Sequence, residues 1–230
     1  MTVGEYLLKP FYRIRRMKHT VFVLFGVKIS IRNKSAPDYD FIMTGRERKC
    51  FEKYVLKSRN YLEFGMGGST IFYLRNSKGK ACSVEANSRW LEFLRRKNVI
   101  AKAETRGRLK ICQVDIGSLG ECGYPVNEST REKFPDYSQA VFAQTSQKFD
   151  LILVDGYFRV ACVLAAIMHQ RKNKPLIAVH DFQLRGNYYP IVKYLDKVER
   201  ADSLWVFQIK KSINEEELLA DYEKYKYNFE

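Results

Sequence analysis

RNYLEFGMGGSTIFYLRNSKGKACSVE, residues 59–85, sets Gly65, Gly67 and Gly68 between two acids, Glu63 just before them and Glu85 after the next apolar run. YLEF and ACSVE carry the composition of short buried strands, and the stretch from Ser69 onward reads as a helix. Strand, glycine turn, helix and strand make one βαβ unit. Glycines at such a turn bring the backbone close to a ligand and leave N–H groups open at the helix N-terminus. A dinucleotide, a nucleoside-bearing methyl donor or a phosphate can use that geometry, and so can a tight corner that binds nothing.

Outward from this unit the alternation continues. Strands are expected at 61–64, 81–85, 109–115, 149–155, 176–181 and 204–210, with helices at about 69–77, 88–98, 159–171, 188–199 and 214–226. Upstream, Thr44 can cap a helix running to about Ser58, with Glu47 as capping-box partner and Cys50, Phe51, Tyr54, Val55 and Leu56 at helical spacing. Strands alternating with amphipathic helices imply an α/β fold: Rossmann-like, doubly wound, with a mostly parallel sheet of about six to seven strands and helices on both faces. The polar gap at 116–148 is an inserted loop, with room for one helix and a place beside the site as a substrate wall.

The 230 residues suit one domain with a short appendage. The division expected is 1–40, a basic N-terminal appendage, and 41–230, the Rossmann-like domain. The appendage should hold a short helix at 5–18 and a hairpin in HTVFVLFGVKISIRN, followed by a linker at 34–40. The formal net charge is +14, and residues 1–34 hold eight Lys and Arg against Glu5 alone, so half of the excess lies there. A basic, aromatic-rich leader suits an anionic surface such as membrane headgroups; a solvated basic helix and hairpin is the plainer alternative. VFVLFGV is far short of the ~20 residues a spanning helix requires. Five scattered cysteines without Cys-x-x-Cys spacing argue against a disulfide framework or zinc site and for a reducing, cytoplasmic setting, with the leader as a peripheral contact to the inner membrane face.

Two fingerprints compete at the glycine loop. A nicotinamide-type Gly-x-Gly-x-x-Gly asks for a third glycine at Thr70, and its pyrophosphate would be repelled by Glu63. A sulfonium amino acid brings an ammonium group that favours an acid there. Glu85, at the end of the second strand, can accept ribose hydroxyls. The chain resembles the class I S-adenosylmethionine-dependent methyltransferases over about residues 44–210. Their first motif is Asp/Glu-x-Gly-x-Gly-x-Gly, and Ser69 stands here in place of the last glycine. The resemblance implies S-adenosyl-L-methionine as cofactor. Gly65 and Gly67 would line its methionine part with Ser69 and Thr70 beside them, Glu63 would lie near its amino group, Glu85 on the ribose, and Asp115 near the adenine. For Asp115 a loop or cap role is the alternative.

Ligands of open parallel sheets sit beyond the carboxyl ends of the strands, so Asp155, His180 and Asp181 should share a rim with Gly65. They are the catalytic candidates. Methyl transfer to oxygen needs a base, which Asp or His provides, or a metal, and two acids with one imidazole can hold a divalent ion. The acid pairs of metal-dependent O-methyltransferases are not reproduced residue for residue. A buried structural histidine and a helix-capping aspartate are the plainer readings of His180 and Asp181. Arg159 at a helix start suits an anionic group on the acceptor, or pairing with Asp155 or Asp181. Arg185 and Tyr188 on RGNYYP complete the substrate candidates.

An O-methyltransferase acting on a small molecule, glycan or lipid-linked glycan is therefore expected. FGVKISIRNK resembles segments of bacterial surface-polysaccharide biosynthesis proteins, which turns the acceptor toward glycans. The alternatives are a nucleic-acid (RNA) methyltransferase, suggested by the charge but lacking an Asn/Asp-Pro-Pro-Tyr-type motif at VDGYF, and a non-catalytic nucleotide-binding module of the same fold.

Overall fold

The computed structural model of the chain describes residues 11–15, 19–24, 27–32, 42–120, 123–182 and 186–229. The chain divides into two compact units, Met1–Ile42 and Met43–Glu230. In the first unit β1 (Phe11–Arg15), β2 (His19–Leu24) and β3 (Val27–Arg32) form an antiparallel sheet in that order. β2 and β3 pair from His19↔Arg32 to Leu24↔Val27, the two strands of the expected hairpin. The expected helix over 5–18 is corrected at Phe11–Arg15, which is a strand; the rest of that stretch lies outside the described residues. FYRIR alternates arginine with Tyr12 and Ile14, a period of two that suits a strand better than a helix.

The second unit opens with α1 (Gly45–Val55). Its capping box is complete: Thr44 Oγ1 accepts from Glu47 N at 3.2 Å, and Glu47 Oε2 accepts from Thr44 N at 2.7 Å. Then follow β4 (Asn60–Phe64), α2 (Gly68–Asn76), β5 (Lys80–Glu85), α3 (Ser88–Arg95), α4 (Asn98–Thr105), β6 (Leu109–Gln113), α5 (Asp136–Gln144), β7 (Leu151–Val154), α6 (Arg159–Gln170), β8 (Leu176–Val179), β9 (Leu195–Ala201), β10 (Leu204–Ile209) and α7 (Glu215–Tyr225). The sheet has seven strands in the order β6-β5-β4-β7-β8-β10-β9. β4 to β8 are mutually parallel, and β10 pairs antiparallel with both β8 and β9. This is the expected Rossmann-like sheet. α2 packs with α4, while α5 and α7 pack on α6.

Position in the sheet explains composition. β4 and β7 lie at its centre and are buried from Tyr61 to Phe64 and from Leu151 to Val154, so both faces of each strand are apolar except at Glu63. α6 is buried without a break from Arg159 to Ile167, which is why RVACVLAAI shows no polar stripe. The four described cysteines are buried free thiols; burial pushes Cys82 up to about 12. No described helix is long and apolar enough to cross a membrane.

Three stretches differ from the sequence reading. The single helix expected at 88–98 is two, α3 and α4, joined at Arg96 and Lys97. The insert at 116–148 holds a 3-10 turn at Arg131–Lys133 and then α5. The helix expected at 188–199 is a 3-10 helix, Gly186–Tyr194, followed by β9. Pro190 lacks the N–H a regular helix needs, and LDKVERA is a charged strand next to a two-residue turn in which Asp202 takes a φ of 49°.

Candidate active site

In the parallel sheet β4, β5 and β6 run to one side and β7 and β8 to the other, so chain order reverses between β4 and β7. Gly65 leaves β4 at that point with φ 98°, and a Cβ on it would lie 2.8 Å from the Gly156 backbone just beyond β7. The ends of the two central strands therefore touch through glycine. At Gly67 a Cβ would meet nothing within 4 Å, so the loop backbone there faces open space.

Glu63 lies beneath this loop with no exposed surface. Its Oε2 accepts from Tyr61 (2.8 Å) and Ser69 (2.7 Å), and its Oε1 accepts from Ser83 (2.8 Å) and Thr70. A carboxylate has about four acceptor sites, and four hydroxyls fill them. Burial pushes its pKa up to about 7 against those four bonds. Glu63 thus takes all four of its hydrogen bonds from within the fold. Ser69 and Thr70 turn their hydroxyls down to Glu63, and Thr70 Oγ1 also accepts from Gly67 N at 3.0 Å, so both act on the loop rather than facing its open side.

Glu85 ends β5 and is buried. Its Oε2 accepts from Met66 N at 3.2 Å, and its Oε1 accepts from Ala86 N and Asn87 N at 2.9 Å each. Burial raises its pKa against those three amide bonds. Three of four acceptor sites are filled, which leaves one for a further donor. Trp90 on α3 holds the same loop from its other side, its indole N–H donating to Met66 O at 2.7 Å. Asp115 lies beyond β6 with its carboxylate exposed. It pairs with Lys133 at 2.7 Å and accepts from Gly117 N, and both hold its pKa low. Its bond to Gly117 N is that of a loop cap.

On the other side of the switch point the acids meet. Val154 pairs with Val179, so the residues that follow, Asp155 and His180, are neighbours. His180 Nδ1 lies 2.9 Å from Asp155 Oδ1 and 3.8 Å from Asp181 Oδ1, and its Nε2 lies 3.5 Å from Glu47 Oε2. Asp181 takes a φ of 58°, which turns the chain sharply after β8. Burial disfavours the imidazolium, yet the bond to Asp155 and the charges of Asp155, Asp181 and Glu47 outweigh it and raise the His180 pKa. Glu47 is itself held at about 2: burial opposes its charge, but Ser203, Thr44 and His180 outweigh that. The sequence marks Glu47 as a helix cap; its second role, at His180, joins residues far apart in the chain.

Arg159 opens α6. Its Nε donates to Gly156 O at 2.9 Å, its Nη1 to His180 O and to Asp181 Oδ2 at 3.3 Å, and its Nη2 reaches Asp155 Oδ1 at 3.5 Å. Of the two expected partners, the structure shows the acids: this side chain is 10% exposed and paired with Asp155 and Asp181. Tyr188 is buried, its ring 5.9 Å from the guanidinium, and so is part of the packing rather than an open loop. Arg185 lies outside the described residues. Tyr137 carries no signal in the sequence that would single it out. Its hydroxyl is fully buried, and a Cβ on Gly156 would collide with it.

Asp155, His180 and Asp181 bring one ligand atom each within 4.8 Å of one another. A divalent cation fits that spacing but not the charge, because Arg159 already bridges both carboxylates. No family model matches the chain, and no curated protein matches it. Among solved structures it is similar to a methyltransferase-like protein from Silicibacter pomeroyi, with a TM-score of 0.72 and 23% identity over 83% of this chain and 98% of that one. An O-methyltransferase from Bacillus cereus in complex with SAH gives 0.48 and 16% identity over 76% and 84%. A SAH-bound methyltransferase from Podospora anserina gives 0.47 and 14% over 72% and 76%. The sheet order, the glycine loop at its switch point and the first of these likenesses together identify the fold as that of a Rossmann-like methyltransferase.

Proposed function

We propose that the protein is an S-adenosylmethionine-dependent methyltransferase that modifies a hydroxyl on a small-molecule acceptor, a glycan or a lipid-linked glycan. The observation that carries this reading is the loop at 65–70. Its backbone faces open space at Gly67, and Glu85 beside it keeps one acceptor site for a ribose hydroxyl. Bound S-adenosylmethionine supplies a methyl group on a sulfonium sulfur, which leaves as a neutral thioether.

The chain's own part is to hold the acceptor oxygen and take its proton. Asp155 and Asp181, with side chains 27% and 30% exposed, are the members of the acid cluster that reach the crevice; His180, at 8%, stands behind them. One of these carboxylates accepts the hydroxyl proton as the oxygen attacks the methyl carbon. His180 and Arg159 orient the pair. Tyr124 of the insert and Tyr157, their rings 5.2 Å apart, support a sugar or planar acceptor.

Thermal-shift titration tests the reading: S-adenosylmethionine and S-adenosylhomocysteine should stabilise the protein and NAD should not. Glu85→Gln should weaken the nucleoside ligands about tenfold or more. Asp155→Asn should keep their binding and stop turnover. A shift with NAD alone, or with none of the three, sinks the proposal.

A further inference from the structure

Two carboxylates at adjacent strand ends are a common invitation to a divalent cation, and here the invitation is already answered. The fork of Arg159 spans Asp155 and Asp181 while its remaining donors are tied to the carbonyls of Gly156, His180 and Asp155. A guanidinium stays charged at any pH the protein meets. It stands at the first residue of α6, where a cation is disfavoured by the helix, so the two carboxylates and three carbonyls are what hold it there. A metal ion on the same two acids would face that fixed positive charge at close range in a buried setting.

The imidazole closes the other approach. A ligating histidine must offer a bare nitrogen lone pair. Both nitrogens of His180 instead face carboxylates, Asp155 on one side and Glu47 on the other, and carboxylates accept protons. Glu47 is fixed from three directions by Thr44 N, Ser203 N and Ser203 Oγ, so the ring is clamped rather than poised. Three acids thus meet one guanidinium and one imidazole with no place reserved for an ion.

We infer that Arg159, with His180, occupies the position a divalent cation would take between Asp155 and Asp181, so that this crevice works without metal and Arg159 is a positioning residue. The statement about metal stands on the cluster alone; its consequence for catalysis rests on the methyltransferase reading. Mn²⁺ titration followed by electron paramagnetic resonance tests it on full-length protein dialysed against chelator. Wild type should leave the free Mn²⁺ signal undiminished, and Arg159→Lys should behave alike because the charge is kept. Arg159→Met, which keeps the apolar stem, should gain at least about tenfold in Mn²⁺ affinity. Stoichiometric binding by wild type in the micromolar range overturns the inference, as does a folded Arg159→Met protein that binds no more tightly than wild type. If Arg159→Met does not fold, the wild-type titration decides alone. Loss of the nucleoside thermal shift would remove the methyltransferase reading and leave this result intact.

Discussion

Glu63 is the residue whose surroundings the sequence shows least. An acid two positions before a glycine turn is legible as a motif. Its four hydroxyl partners are not, because Ser83 comes from the neighbouring strand and Tyr61 shares its face only in a strand register. The raised pKa has a thermodynamic consequence with a definite sign. A carboxyl whose folded pKa lies above its unfolded value holds its proton longer in the native state. Stability therefore falls as pH rises from about 4.5 to about 7 and stays at the lower level above that. The shift corresponds to roughly 3 kcal/mol. Urea denaturation at several pH values should show wild type losing roughly 2 to 3 kcal/mol relative to Glu63→Gln across this window. Parallel stability curves for the two proteins would refute the assignment.

At the scale of elements, the contact between the ends of β4 and β7 does the most to shape the crevice. Gly156 has no room for a side chain: a methyl group there would run into the Tyr137 hydroxyl and lie 3.0 Å from Gly65 N. Gly156→Ala should cost roughly 1 to 3 kcal/mol by overpacking. Tyr137→Phe removes the hydroxyl that such a methyl group would strike. In the double variant much of the Gly156→Ala cost should disappear, a coupling that chemical denaturation of the four proteins measures. Elements are legible where a short apolar run stands between turn residues, as in β4, β5, β7 and β8. β9 is hidden because its alternating charges resemble a solvated helix face, and its edge position in the sheet depends on β10, which follows it. The acid cluster is legible as strand-end residues, while which of its two expected partners Arg159 meets depends on how α6 is rotated.

On the scale of the whole molecule, charge is divided unequally: half of the +14 excess lies in residues 1–34, ahead of the methyltransferase-fold unit. Each Lys or Arg near an anionic bilayer contributes about 1 kcal/mol at low salt. Sedimentation with phosphatidylglycerol-containing vesicles should therefore capture the protein, and with neutral vesicles should not. Replacing Arg13, Arg15, Arg16 and Lys18 by Gln should release it, as should raised salt. Salt-dependent binding to RNA without capture by vesicles would instead favour a nucleic-acid acceptor.

The chain has two tryptophans, and one of them, Trp90, is hydrogen-bonded to the carbonyl of Met66 in the middle of the glycine loop. It is 37% exposed and stacked on Phe93 at 5.3 Å. The other, Trp205, lies in β10 among Phe182 and Phe207, outside the loop. The protein thus contains its own optical probe. With Trp205 replaced by Phe, emission wavelength and quenching by iodide would report the state of a single indole whose N–H is fastened to the loop, allowing occupancy to be followed in real time without a label.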